Sequence, residues 1–168
     1  MPKYQGTGAI TAADYKAVKW IGKTKNGTAI TIAFPNAINL GNIDWTFADK
    51  DDTVAELVFT AVYDNTNETA NTTTEPWTVE TATAITNAAD GIVLGVGVFY
   101  IGETAIALTR GGGKFTVERE FREIVADGDR GPVKDRIELV GSRATLTMNT
   151  LQIIARLADI YPAMETVT

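Results

Sequence analysis

The sequence contains neither cysteine nor histidine in its 168 residues. Without cysteine no disulfide framework can form, which excludes the small secreted scaffolds that such cross-links hold together. The two absences also remove the preferred ligands of zinc. Catalysis by serine–histidine or cysteine–histidine pairs, and general-base catalysis by histidine, are excluded as well. Many classes of enzyme mechanism are therefore excluded for this chain.

Long apolar runs are also missing. The longest, residues 92–101, has ten residues and includes Gly95 and Gly97, whereas a helix needs roughly 20 apolar residues to span a bilayer. The first residues, MPKYQGTGAITAADYK, contain no apolar stretch of the kind found in a secretion signal. We therefore expect a protein that is made in a cytoplasm and has no membrane partner.

The sequence has fewer basic than acidic residues. It contains 15 Lys and Arg and 21 Asp and Glu, which gives a net charge of −6. This is the wrong sign for a protein that coats nucleic acid through phosphate contacts. It is compatible with a surface that DNA passes without binding, although ordinary solubility is the favoured explanation. The hydrophobic share of 45% is that of a folded domain.

Apolar residues recur at every second position through most of the chain, which is the period of a β-strand. Ile30, Ile32 and Phe34 alternate with small or polar residues, and Pro35 ends that run. On the next long run one face bears Ala55, Leu57, Phe59, Ala61 and Tyr63, and the other bears Val54, Glu56, Val58, Thr60 and Val62. The second face is apolar enough to need cover, either from the same domain or from a neighbouring subunit.

The pattern predicts a mainly-β fold, a sandwich or barrel of two packed sheets with one or two short α-helices, in a single domain over residues 1–168. Within it, the sequence predicts an N-terminal arm over 1–25, a long hairpin over 43–63 and a mobile polar loop over 64–76. Helices are predicted over 81–90 and 151–162. Residues 92–101 indicate a strand that is buried on both faces.

Two glycine-rich stretches match phosphate-binding motifs only in part. Residues 110–115, RGGGKF, contain Gly-Lys, but Leu108 stands where a P-loop has glycine and Phe115 where it has serine or threonine. Residues 95–97 lack the third glycine of a dinucleotide fingerprint, since position 100 is Tyr100. We interpret both as turn and strand glycines and predict no cofactor.

Two aspartate clusters are the remaining candidates for metal chemistry. Asp49, Asp51 and Asp52 form one, and Asp127 and Asp129 form the other. Neither cluster is the spaced run of Asp and Asn that leads to the glycine and closing glutamate of a calcium loop. Turn formation and solubility explain both clusters, with calcium binding as the open alternative. No catalytic residue and no metal site is predicted, so we expect no enzyme.

Residues 115–154 combine a charged β-strand, a turn, a second strand and an apolar segment that ends in a helical pattern. The turn is DGDRGPVK, residues 127–134. This arrangement resembles the C-terminal half of the tail tube (major tail) proteins of long-tailed bacteriophages, in which a D-G-x-x-G-x-[VI]-K turn joins the strands. That family often has glycine after the lysine, whereas this chain has Asp135. Upstream, residues 43–63 resemble the long hairpin by which such subunits reach a neighbour.

The resemblance implies a structural subunit of the virion tail. Six subunits would form a ring, the inner sheets would join into one barrel, and stacked rings would form a tube that conducts DNA. The partners would be further copies of the chain, the tape measure and other tail proteins, and DNA that passes through the lumen without specific binding. The turn at 49–52, the loop at 64–76 and the arm at 1–25 are candidates for contacts between rings.

The candidate assembly interface follows from the hairpin and the turn of this resemblance. Its residues are Ile43, Trp45, Phe47, Asp49, Asp51, Asp52, Val54, Val58, Asp127, Asp129, Arg130 and Lys134.

Two other classes of protein fit the same observations. One is a different virion structural protein, such as a capsid decoration protein or a tail terminator, which shares the β-rich architecture without a cofactor. The other is a β-sandwich module that binds carbohydrate or protein, with Trp45 or Trp77 as the binding aromatics. Co-sedimentation with heads would favour the first, and glycan binding would favour the second.

Overall fold

The structure is a computed structural model that describes residues 3–45, 53–64, 74–84, 86, 91–106, 109–128, 130–151 and 157–167. It is mainly β, with 59% strand and 5% helix, as the sequence predicts. The strands are β1 (Lys3–Gly6), β2 (Lys16–Thr24), β3 (Ala29–Asn39), β4 (Ala55–Ala61), β5 (Thr78–Thr81), β6 (Val93–Ile101), β7 (Thr104–Ile106), β8 (Thr109–Glu123), β9 (Ile137–Thr150) and β10 (Met164–Val167). A 3-10 helix spans Ala12–Asp14, and the α-helix α1 spans Leu157–Ile160.

The strands form two antiparallel sheets. In the larger one the order is β7-β6-β2-β3-β4-β9-β8, with β5 also paired to β3. Strand β3 pairs with two strands along the same edge. Its residues 30–33 pair with β5, and its residues 37–39 pair with β4. The smaller sheet joins β1 to β10. A positive φ of 86° at Gly27 permits the tight turn between β2 and β3.

The large sheet curls so that its two ends approach each other. Gly113 on β8 lies against the ring of Phe99 on β6, although four strands separate β6 from β8 in the sheet order. A hydrophobic core fills the space inside the curl. Its buried members are Val18, Phe34, Ala37, Ala55, Leu57, Phe59, Ala61, Phe99, Ile101, Ile106, Ala144, Leu146, Met148, Leu157, Ile160 and Tyr161. Burial of each larger side chain contributes about 1.5–3 kcal/mol.

Strand β4 confirms the alternation read from the sequence. Ala55, Leu57 and Phe59 are buried in the core, while Glu56 points outward and is exposed. The smaller sheet packs on the same core through Tyr4 and Met164. Leu157 and Ile160 of α1 complete the cover.

The prediction of an N-terminal arm over 1–25 is wrong. Residues 16–24 are β2, which pairs with β3 on one side and β6 on the other. Val18 on this strand is buried in the core. The charged residues Lys19 and Lys23 hid the strand pattern, because lysines on an outward face interrupt an apolar run without interrupting the strand.

The long hairpin over 43–63 is also not formed as predicted. Residues 43–45 are not a strand, and β4 pairs with β3 and β9 instead. Residues 46–52, and residues 65–73 of the predicted loop, lie outside the described residues. Which strands pair depends on residues that are distant in sequence, and local alternation of apolar residues does not predict that pairing.

The helix prediction over 81–90 is wrong where the residues are described, whereas the one over 151–162 is confirmed at Leu157–Ile160. Thr81 belongs to β5, opposite Ile30 of β3, and residues 82–84 are not helical. Residues 85 and 87–90 lie outside the described part of the chain. Within 151–162 the described helix covers only Leu157–Ile160, and residues 152–156 are not described. At Thr81 strand pairing outweighs the weak helix propensity of a threonine-rich segment.

Strand β6 is confirmed in place, at Val93–Ile101, but not in its burial. Phe99 and Ile101 are buried, whereas residues 92–96 and 98 are exposed. The sequence predicted cover on both faces because the run is apolar throughout.

Candidate assembly surfaces

The paired strands β8 and β9 extend beyond the body of the domain. We call the outer part of this pair, residues 118–123 and 137–143, the distal ribbon. Nearer the body, Ala144, Leu146 and Met148 are buried. These strands have 15 and 14 residues, whereas typical strands have about 5–6.

One face of the distal ribbon continues the core-facing side of the pair. Phe115 and Val117 pack against the core, and Phe121 follows Val117 at an interval that keeps it on the same face. Phe121 pairs with Leu139, and their side chains are 60% and 49% exposed. A register shift between Glu120 and Phe121 marks a bulge at this point. An apolar face that is covered in the body is thus uncovered in the ribbon among the described residues.

The opposite face of the distal ribbon is charged. Arg122 donates to Glu138 at 2.5 Å, and the two residues are a cross-strand pair. Glu118 lies opposite Arg143. The ribbon therefore has one charged side and one side on which charged residues flank the apolar pair Phe121–Leu139.

The predicted turn lies at the outer end of this ribbon. Asp127, Arg130 and Lys134 are exposed there, and Asp129 is not among the described residues. The backbone N–H of Ile124 donates to the carbonyl of Arg136 at 2.9 Å, which extends the pairing toward the turn. Asp135 has a φ of 67°, in the left-handed region that favours glycine.

A second uncovered apolar surface lies on β6. We call the exposed residues Leu94, Val96 and Val98, together with the half-buried Ile21 of β2, the β6 patch. A register shift between Gly22 and Thr24 interrupts the ladder at residues 94–96, and Leu94 and Val96 also line the cavity described below. Val96 is 82% exposed and Val98 41% exposed. Val98 pairs with Ile21, and Lys23 follows Ile21 on the same face. Since β7 pairs only with Phe99–Ile101, no described strand covers the outer edge of residues 93–98.

A cavity of about 400 Å³ lies between β6 and β8. Trp20, Phe99 and Phe115 form its aromatic wall, and Lys114 is the one titratable side chain among its lining residues. With a single ionisable group it offers no acid–base pair. Among the described residues, no group of three or more acidic side chains is placed to hold a metal ion.

The predicted interface residues between positions 43 and 58 differ in exposure, and some of them are not described. Ile43 is exposed, and Val54 and Val58 are half-buried beside a shallow depression of about 320 Å³ that Asp44 and Glu56 also line. Phe47, Asp49, Asp51 and Asp52 lie outside the described residues.

Trp45 packs against the core instead of projecting from it. It lies beside the buried hydroxyl of Tyr161, whose pKa is raised by burial. An indole with this role stabilises its own subunit, so its exposed surface is a minor part of any interface.

Sequence reasoning did not place the exposed apolar residues Phe121, Leu139, Val96 and Val98 at the interface. The available signal was strand length, because a run of alternating residues much longer than a typical strand has to project beyond the body of the domain.

No described helix has the length and apolar character needed to cross a membrane. No protein-family model, no curated protein and no solved structure matches this chain.

Proposed function

We propose that this protein is a self-assembling structural subunit of the phage tail tube type, which forms stacked rings around a conduit for DNA. The observation that carries the proposal is the pair of uncovered apolar surfaces, the distal ribbon and the β6 patch. Large exposed apolar patches on a folded protein mark interaction sites. Unpaired strand edges with apolar side chains invite further strands unless another chain covers them.

The β8–β9 connection gives further support. It has the charged strand, the turn and the returning strand that the resemblance to tail tube proteins implies. Asp135 adopts the left-handed backbone conformation at the position where that family often has glycine. Aspartate is one of the few other residues that tolerate this conformation. The departure from the family pattern is therefore compatible with the same turn.

The positions of the tryptophans favour assembly over the carbohydrate-binding alternative. Trp20, Trp45 and Trp77 all pack against the core cluster. Trp77 makes an edge-on contact with Phe115, with 5.5 Å between ring centroids. Modules that stack sugars on aromatic rings need those rings exposed, so these indoles are poor candidates for such a platform.

Electron microscopy of the purified protein tests the proposal. We expect rings or tubes in negative stain, with sedimentation coefficients that rise with protein concentration. Addition of tail-tip components should shorten the lag before tubes appear. A protein that stays monomeric at every concentration, and does not respond to tail-tip components, would contradict the proposal. Co-sedimentation with heads instead of tails would indicate a decoration protein.

A further inference from the structure

We propose that the apolar face of the distal ribbon of one copy packs on the β6 patch of a second copy, so that the contact joins two different surfaces. The inference rests on the proposed self-assembly and names the surfaces that carry it. A contact of this kind leaves the pair of copies with one free ribbon and one free patch. Successive copies can therefore close into rings or extend into filaments.

The apolar parts of the two surfaces are similar in extent. On the ribbon, Phe121 and Leu139 form an exposed cross-strand pair. On the patch, the exposed Val98 pairs with the half-buried Ile21, and the exposed Val96 lies two residues before Val98 on β6. Each is a short apolar strip on a two-stranded segment. Packing one strip on the other removes both from water.

The charges at the ends of the two strips are complementary. Arg119 and Glu123 lie on the same face of β8 as Phe121, two residues before and two after it. On β2, Lys19 and Lys23 lie two residues before and after Ile21. Lys19 is paired with Glu103 at 3.4 Å, and the Glu103 side chain is 93% exposed. One end of the patch therefore presents an accessible carboxylate and the other end presents a lysine.

The spacing of these charges matches as well. Residues 119 and 123 on one strand, and residues 19 and 23 on the other, are each separated by about 13 Å at 3.3 Å per residue. Packing with the strands in the same direction places Arg119 at Glu103 and Glu123 at Lys23. Within the described ranges, Glu123 and Lys23 make no ion pair in their own chain.

The order of charges along the ribbon, Arg119 and then Glu123, is complementary to the order along the patch when the two strands run in the same direction. Electrostatic complementarity of this kind sets the register and the choice of surface more than the strength of binding.

A pair of interface variants tests the contact. Phe121→Asp blocks the ribbon and leaves the patch intact, whereas Val98→Asp blocks the patch and leaves the ribbon intact. We expect each variant alone to be monomeric at concentrations where the unchanged protein assembles. An equimolar mixture should form a heterodimer and stop there. Arg122→Ala, on the charged face of the ribbon, is the matched control and should assemble as the unchanged protein does.

The outcomes separate this inference from the proposed function. If the unchanged protein assembles and both aspartate variants assemble equally well, the contact is wrong and the proposed function stands. If only one variant loses assembly, the contact joins other surfaces than the two named here and the inference is overturned. If the unchanged protein never assembles, both proposals fail. Circular dichroism and melting temperature confirm that each variant is folded.

Charge reversal tests the predicted register. Glu123→Lys and Lys23→Glu should each weaken association about tenfold, and the two changes in one chain should restore it to within about threefold. Cross-linking provides an independent measurement, because the chain has no cysteine of its own. A mixture of Glu123→Cys and Lys23→Cys should give a disulfide-linked heterodimer, while Arg122→Cys with Lys23→Cys should not. No cross-link in the first mixture, or no rescue by the double charge reversal, overturns the register.

Discussion

The indole ring of Trp20 lies across Gly97 on the neighbouring strand, in the space that a side chain at position 97 would occupy. Gly97 pairs with Gly22, and the same ring also covers Gly22. Two facing glycines would leave a gap in the β2–β6 ladder, and the large aromatic ring fills it. Trp20 and Gly97 thereby form part of the wall of the cavity between β6 and β8.

The variant Gly97→Ala should therefore be destabilised. The added Cβ collides with the indole, so the ring has to move out of a packed position, at a cost of about 1–3 kcal/mol in the free energy of unfolding. Chemical denaturation measures the change. Gly95→Ala is the control, since a Cβ at position 95 meets no atom within 4 Å. Equal stability of the two variants would show that the ring does not cover Gly97.

Asn39 links the end of β3 to β4. Its side chain is buried, and its Oδ1 accepts hydrogen bonds from the backbone N–H groups of Gly41 at 2.9 Å and Val58 at 3.4 Å. Asn39→Ala leaves both donors without this acceptor, so we expect a loss of about 2 kcal/mol in the free energy of unfolding. Asn42→Ala, at an exposed position, should change it by less than about 0.5 kcal/mol. Urea denaturation of both variants decides the matter.

Asp14 ties the N-terminal segment to the turn before β10. Its carboxylate accepts from the backbone N–H of Thr11 at 2.6 Å and from that of Ala163 at 2.9 Å. The Thr11 hydrogen bond is the largest influence on the pKa of Asp14 and, with the Ala163 bond, holds it below the ordinary value of 3.8, although burial opposes the shift. The folded state thus binds this proton less readily than the unfolded state does.

The sign of the pH dependence follows from this lowered pKa. The stabilisation by Asp14 is fully present above the unfolded pKa of 3.8 and is lost as the pH falls through the lower folded value. Asp14→Ala should cost about 1 kcal/mol at pH 7 and progressively less toward pH 2. Denaturation curves across this range, with Asp127→Asn as an exposed control, measure it. A cost that does not shrink in acid would show that the charge of Asp14 plays no part.

Ala163 is held in the left-handed region, with a φ of 55°. For alanine this conformation costs roughly 1 kcal/mol, and glycine adopts it without that cost. Ala163→Gly should therefore stabilise the fold by about 0.5 kcal/mol, after allowance for the greater freedom of glycine in the unfolded chain. Ala17→Gly, in the extended strand β2, should destabilise it. Thermal melts of the two variants should move in opposite directions.

The sequence by itself determined the class of fold and the position of several strands. Alternation at every second residue is a local property, so the buried face of β4 with Leu57 and Phe59 could be read without knowledge of its neighbours. The β8–β9 connection was likewise readable, because glycine, aspartate and proline set turn geometry within a few residues. The absence of cysteine and histidine narrowed the chemistry for the same local reason.

Only the tertiary structure decided which strands are neighbours and which apolar faces remain uncovered. β2 became an internal strand because Val18 and Trp20 pack between partners that are distant in sequence, and Thr81 joined a strand through its pairing with Ile30. The apolar pattern of Phe121 resembles that of the core-packed Phe115. What differs is that β8 and β9 extend past the body of the domain, and exposure depends on that long-range geometry and not on the residues themselves.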